Sequence, residues 1–303
     1  MLIKVGCCGF PVSKGKYYEV FKVVEVNSTF YSYPKSSVLV KWRKESPEDF
    51  EFVLKAHQDI SHKYRLKPTK DCLKSLRLMV EACKTLNSKI LLIQTPGSLR
   101  PSKEVLDSAE KFFSNAVKEG RLKYVWETRG DEWFKPDVKV KIEKIFKKFG
   151  VSHCVDPLKS FPVFVEDVAY FRLHGLGERL YYYQYSDEEL KKILNVVEDF
   201  KGKVDEVYVF FNNLSMFTDA SRFLTMVKTG SLPSLTGCYG LESVRKVLEN
   251  AKFPISRSML IKKYGWKLFD LEPGKQVRLE KVLKDVSNKT YSSLENLLKD
   301  VNI

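Results

Sequence analysis

The chain has 303 residues, 44% of them hydrophobic and 30% charged, which is enough apolar side chain for a sizeable core and argues against a disordered polymer. With 52 Lys and Arg against 38 Asp and Glu the net charge is +14, a balance that favours polyanionic partners, nucleic acid first. The opening MLIKVGCCGF lacks a signal-peptide pattern and no apolar run is long enough to span a bilayer, so the expectation is a cytoplasmic protein with no membrane contact.

Short β-prone apolar runs fall at Leu2 to Cys7, Val23 to Val26, Glu51 to Leu54, Ile90 to Ile93, Leu122 to Trp126, Val151 to Val155, Val168 to Leu173 and Val204 to Phe211. Between them, apolar residues recur at helical spacing. Leu73, Leu76, Met79, Val80 and Cys83 form one such face, and Val105, Ala109, Phe112, Phe113 and Ala116 a second. Ile142, Ile145, Phe146 and Phe149 form a third, and Leu190, Ile193, Leu194 and Val197 a fourth. Ser186 with Glu189 three residues on predicts a capping box at the start of that fourth helix. Alternation of this kind predicts parallel strands joined by helices, an α/β fold closing as a TIM-like (β/α)8 barrel over residues 1–235. A doubly wound open sheet is the alternative, but no G-x-G-x-x-G follows the first strand.

The Gly/Pro/Ser-rich stretch from Thr229 to Gly240 predicts a break, and residues 236–303 read as a small helical C-terminal domain. Helices are expected at Leu241 to Leu248, Met259 to Lys263 and Leu294 to Leu298. The six cysteines, Cys7, Cys8, Cys72, Cys83, Cys154 and Cys238, include no C-x-x-C pair and read as reduced thiols.

In such a barrel the working residues stand where strands end on the C-terminal face. Glu25 and Asn27 fall on or after the second strand, Lys55 and His62 after the third, Gln94 after the fourth, and Glu127 and Arg129 after the fifth. Asp156 follows the sixth strand, Arg172 and His174 belong to the seventh, and Asn212 and Asn213 follow the eighth. A polar residue at nearly every strand end predicts a binding mouth, because such groups are costly to bury without a partner. Glu25, Glu127, Asp156 and His174 are the expected catalytic set and could hold a divalent metal that activates water. Asn27, Lys55, His62, Gln94, Arg129, Arg172, Asn212 and Asn213 are the expected substrate-binding set. The same acids could instead pair with Lys55, Arg129 and Arg172 in a structural network, Glu25 with Arg172 in particular. Without metal, those three cations could clamp a phosphate or carboxylate directly. The segment after the third strand, with Lys63, Tyr64, Arg65 and Lys67, interleaves cations with an aromatic and suits phosphate contact and base stacking; a solvated basic loop is the alternative.

Several of these runs resemble the signature of the YecE-like family, domain of unknown function 72. They are Val24-Glu25-Val26-Asn27-Ser28-Thr29-Phe30-Tyr31, Phe52-Val53-Leu54-Lys55-Ala56 with Ser61-His62, and Gln94-Thr95-Pro96. Val125-Trp126-Glu127-Thr128-Arg129 with Trp133, Arg172-Leu173-His174-Gly175 with Tyr185-Ser186, and Phe210-Phe211-Asn212-Asn213 complete the set. The resemblance implies a TIM-like barrel, and the family's likeness to endonuclease IV implies a metal-dependent nuclease by analogy of fold alone. Where the family has a Thr-Ser or similar pair after its first glycine, this chain has Cys7-Cys8. Val247-Leu248, Phe253-Pro254, Ser258, Leu260-Ile261, Leu283 and Tyr291-Ser292-Ser293 make the tail similar to domain of unknown function 2795. The functional expectation is a nucleic-acid-acting protein, a metal-assisted phosphodiester hydrolase of nuclease type. The alternatives are a non-catalytic DNA- or RNA-binding protein and a barrel enzyme acting on a small phosphorylated metabolite.

Overall fold

The computed structural model describes residues 1–303. The chain divides into two compact units, Met1–Leu173 with Val196–Phe211, and His174–Asn195 with Asn212–Ile303. In chain order come β1 (Leu2–Cys7), α1 (Lys14–Val20), β2 (Val23–Val26), α2 (Ser28–Tyr31), α3 (Ser36–Glu45), β3 (Glu51–Lys55), α4 (Lys70–Leu86) and β4 (Ile90–Gln94). Then follow α5 (Lys103–Glu119), β5 (Lys123–Glu127), α6 (Pro136–Phe149), β6 (Val151–Val155), β7 (Val168–Leu173), α7 (Asp187–Glu198) and β8 (Glu206–Phe211).

The eight strands lie in the first unit as one sheet, ordered β1-β8-β7-β6-β5-β4-β3-β2, with the paired neighbours parallel. The sheet curls into a nearly closed barrel, the predicted fold, and one parallel bridge between Cys8 and Glu25 joins its two edges. Below that bridge the backbone ladder is replaced by a side chain. The Tyr17 hydroxyl accepts from Cys7 N–H at 2.8 Å and donates to the Val23 carbonyl at 2.9 Å. Gly6 stands at the same seam, where a Cβ would lie 2.5 Å from the Val23 oxygen. Inside the barrel, Val23, Val53, Leu92, Val125, Cys154, Tyr170 and Phe210 belong to one buried apolar cluster. The apolar faces expected on α4, α5 and α6 are the buried ones.

Three strands run one residue past their predicted ends, to Lys55, Gln94 and Glu127. Polarity ended the apolar pattern there, but the backbone ladder does not depend on side-chain polarity. Helices α1 and α3 were not anticipated; α3 buries only Leu39, so it offers almost no apolar stripe to read.

The second unit contains α8 (Met216–Thr229), α9 (Gly240–Leu248), β9 (Ile255–Ser256), α10 (Arg257–Tyr264), β10 (Leu268–Glu272), β11 (Lys275–Arg278), α11 (Leu279–Asp285), β12 (Thr290–Tyr291) and α12 (Leu294–Leu298). Val244, Leu248, Leu260, Phe269, Leu283, Tyr291 and Leu297 share a core of their own. Helices are present where the tail was expected to have them. The tail also carries two antiparallel two-stranded sheets, which corrects the purely helical expectation. Pro273-Gly274, with Gly274 at φ 77°, turns β10 into β11. The capping box of α7 is formed: Ser186 N–H donates to Glu189 Oε2 at 2.8 Å and Glu189 N–H to Ser186 Oγ at 3.3 Å. No disulfide joins the six cysteines, and no helix is long and apolar enough to cross a membrane.

Candidate functional site

Side chains along a strand alternate between the two faces of the sheet, so every second residue points into the barrel. The interior cluster fixes the phase. Two residues beyond Val23, Val53, Leu92, Val125 and Tyr170 stand Glu25, Lys55, Gln94, Glu127 and Arg172, all of them buried. The same step beyond Cys154 reaches Asp156. The predicted residues of these strands therefore form the next inward layer above the apolar plug.

Arg172 is the hub of that layer. It is 1% exposed, and its Nε and Nη2 donate to the two oxygens of Glu25 at 3.0 and 2.8 Å. Its Nη1 donates to Glu127 Oε2. Tyr170 gives a third donor to Glu25, its hydroxyl lying 2.7 Å from Oε2. Burial opposes the Arg172 charge, but Glu127 and Glu25 outweigh it and hold the guanidinium protonated, well above its ordinary range. Glu127 Oε1 accepts from Arg129 Nε at 2.9 Å, so one carboxylate bridges two guanidiniums. The predicted Glu25–Arg172 pair is thus present, and both carboxylates are turned onto arginines.

Lys55 has a different setting. Burial pushes its ammonium down to about 8; Arg172 and Arg129 push the same way, against Glu25 and Glu127. Its Nζ lies 4.1 Å from the centre of the Phe30 ring, and the His62 ring meets that same ring edge-on at 4.9 Å. Phe30 is brought there by α2, where the neighbouring Thr29 hydroxyl lies 2.7 Å from the Lys55 carbonyl oxygen. His62 is held below its ordinary pKa by burial and by the nearby charges of Lys55, Arg129 and Arg65. With Lys55 protonated, Lys55, Arg129 and Arg172 face Glu25 and Glu127, and Asp156 adds a third carboxylate, so the formal charges of the layer balance.

Other predicted residues are placed differently. Asp156 Oδ1 accepts from Leu158 N–H at 3.1 Å, and its other oxygen lies 4.0 Å from Lys159 Nζ. Gln94 donates to the Thr95 carbonyl at 2.6 Å. Asn27 is half-buried and precedes α2 without capping it by its side chain. His174, Asn212 and Asn213 belong to the second unit. There His174 is buried with its ring 6.2 Å from that of Tyr181. Asn212 is half-buried. Asn213 gives its amide hydrogens to the Tyr183 carbonyl at 2.8 Å and to Asp219 at 2.6 Å.

The chain nowhere gathers three or more His, Cys, Asp or Glu side chains in a group that could hold a metal ion. Of the expected ligands, Glu25 and Glu127 are both engaged by arginine. In the basic segment, a π-helical turn spans Asp59–Lys63, and Arg65 and Leu66 follow at φ 48° and 62°. Lys63 and Arg65 are exposed and Tyr64 is half-buried, while Lys67 pairs with Glu104 at 2.8 Å. Tyr170 and Phe30 were not anticipated as parts of the site, and the Cys8 thiol, at the end of the first strand, lies 3.7 Å from Arg172 Nη2. The signal for Tyr170 was available, since it stands two residues before Arg172 on one strand.

The family model described as "Protein of unknown function DUF72" matches residues 15–235. The chain belongs to the DUF72 family. It is similar to the UPF0759 protein YunF of Bacillus subtilis, 25% identical over 230 residues that cover 66% of this chain and 79% of YunF. A shorter match, 38% identical over 56 residues, joins 18% of this chain to 21% of YecE of Escherichia coli. A DUF72 family protein from Enterococcus faecalis superposes with a TM-score of 0.63 at 24% identity, covering 77% of this chain and 98% of that one. Another DUF72 family protein, from Thermotoga maritima, does so with 0.62 at 24%, covering 75% and 100%. A D-tagatose 3-epimerase-like protein shares the fold at 17% identity, with a TM-score of 0.50 over 75% of this chain and 96% of that one.

Proposed function

We propose that the DUF72 barrel mouth is an enzyme active site for a small anionic, phosphate-bearing substrate, with Lys55 exchanging a proton with it. The observation that carries this reading is the Lys55 ammonium, buried beside the Arg172 and Arg129 guanidiniums and brought down to about 8. A lysine near neutrality can give a proton as an acid or, once deprotonated, take one as a base. Arg129 is the partly exposed guanidinium of the layer and His62 the neighbouring imidazole, so these would hold the anion. Arg172 would keep Glu25 and Glu127 in place. The carboxylates' engagement with arginine argues against the metal-assisted phosphodiester hydrolase expected from sequence, and no step is assigned to a metal.

A second reading has one specific support, the +14 net charge together with exposed Lys63 and Arg65 on the segment leaving β3. In it the phosphate belongs to DNA or RNA rather than to a metabolite. The tail 236–303, taken as a separate small domain of the 2795 type, would then add further basic surface.

The test is amine labelling with binding. At pH 8 the free-amine fraction at a pKa of about 8 exceeds that of an ordinary lysine roughly a hundredfold. Lys55 is expected to react first with a small acylating reagent, and a sugar phosphate should protect it. If Lys55 labels no faster than surface lysines, and sugar phosphates neither protect it nor raise the melting temperature, the reading fails.

A further inference from the structure

The second unit contains a cavity of about 310 Å³ lined by two lysines, the Glu249 carboxylate and the polar side chains of Gln184, Ser215, Thr218, Thr236 and Asn250. Gln184 is buried there; its side-chain oxygen accepts from Leu268 N–H at 2.8 Å, which leaves its NH2 without a partner. Ser215 precedes α8 but makes no capping bond, and Thr218 lies one turn on; both residues line the space. Lys246 and Glu249 pair with each other at 3.0 Å. Lys267 is left as the uncompensated charge. It makes no ion pair, and its ammonium lies 5.7 and 5.9 Å from the ring centres of Tyr264 and Trp266. Burial holds it below its ordinary pKa, with Glu249 drawing it back up. One net positive charge with four free donor groups is the complement of an oxyanion.

We infer that this cavity is a second anion site, independent of the barrel mouth, which takes the phosphate group of a small phosphorylated organic molecule. The space is about ten times the ~30 Å³ share of a water, more than a bare phosphate fills. Leu235, Val247, Ala251 and Tyr264 supply apolar wall for the rest of the ligand. Lys267 would hold the anion by charge, while Gln184, Ser215 and Thr218 orient it.

The test uses the full chain carrying Lys55→Met, which removes the titrating cation of the barrel mouth. Calorimetric titration with glucose 6-phosphate should still show binding, and adding Lys267→Gln should weaken it by about tenfold or more. Glucose 6-phosphate should also protect Lys267 from acetylation in the Lys55→Met chain, read by peptide mass spectrometry; this holds whether or not the double variant folds. Absence of binding at millimolar ligand, or an unprotected Lys267, overturns the site. Equal affinity for inorganic phosphate overturns its organic half. Protection of Lys55 in the wild type with none at Lys267 would leave the barrel reading standing alone.

Discussion

Arg172 and Lys55 are both buried cations of the same inward layer of the barrel, yet their energetics are opposite. Arg172 is matched by two carboxylates, so removing it strands the buried Glu25 and leaves Glu127 with Arg129 alone. Arg172→Met is expected to destabilise the chain by about 3–5 kcal/mol in urea unfolding. Arg129→Met, which takes away a side chain 30% exposed, should change stability by no more than about 1 kcal/mol. Lys55 has the burial without a matching partner. Its folded pKa of about 8 lies below the ordinary 10.5, so between those values the unfolded chain binds more protons. Its burial penalty is fully present below pH 8 and fades as pH rises towards 10.5, and stability gains over that window. Lys55→Met should raise the melting temperature at pH 7 and lose the advantage by pH 10.5. A difference between the two chains that stays flat with pH would show that Lys55 titrates normally. The identities of these residues were legible from strand ends alone. Which of them pair was only partly so: Glu25 with Arg172 was foreseen, but the sharing of Glu127 by two arginines depends on side-chain rotamers that no spacing rule encodes.

The strands were legible as elements because a parallel barrel buries both faces, which makes each strand a short continuous apolar run. The hairpin of β10 and β11 was missed although Pro273-Gly274 marks its turn; the surrounding Lys- and Leu-rich sequence suits a helix equally well. The seam between β1 and β2 had no sequence signal at all. Its closure rests on Tyr17 reaching from α1 to bridge Cys7 N–H and the Val23 carbonyl. Tyr17→Phe keeps the ring and removes the bridge, leaving two buried backbone groups unpaired. A loss of about 1–3 kcal/mol is expected, with amides of β1 and β2 exchanging hydrogen faster than those of β4 to β6. Gly6→Ala should act at the same place, because its new methyl would lie 2.5 Å from a backbone oxygen that cannot turn aside. Loss of stability spread evenly over all eight strands would mean that the seam is no weaker than the rest of the barrel.

For the whole molecule the open question is what the +14 charge serves, and charge alone does not choose between a phosphorylated metabolite and a nucleic acid. It is an excess that remains after every acid is counted, and Lys67, Lys148 and Lys147, which pair with Glu104, Glu110 and Glu143, add nothing to it. What separates the partners is the number of counterions displaced. A small phosphate held by Arg129 and His62 displaces few, so its affinity should fall only about tenfold or less between 50 and 200 mM salt. An oligonucleotide lying across Lys63, Arg65 and the mouth releases one condensed ion for each phosphate contacted, and the logarithm of its affinity should fall with log salt at a slope near the number of contacts. We expect the shallow dependence for a sugar phosphate and a steep but sequence-indifferent one for single-stranded DNA. In the proposed order of affinities, the sugar phosphate dominates at physiological salt. Lys63→Gln with Arg65→Gln should then reduce the oligonucleotide slope by about two and leave sugar phosphate binding unchanged. If the double variant instead abolishes sugar phosphate binding, the segment after β3 is part of the small-ligand site. If oligonucleotide binding survives physiological salt and outcompetes the sugar phosphate, the nucleic-acid reading takes the first place.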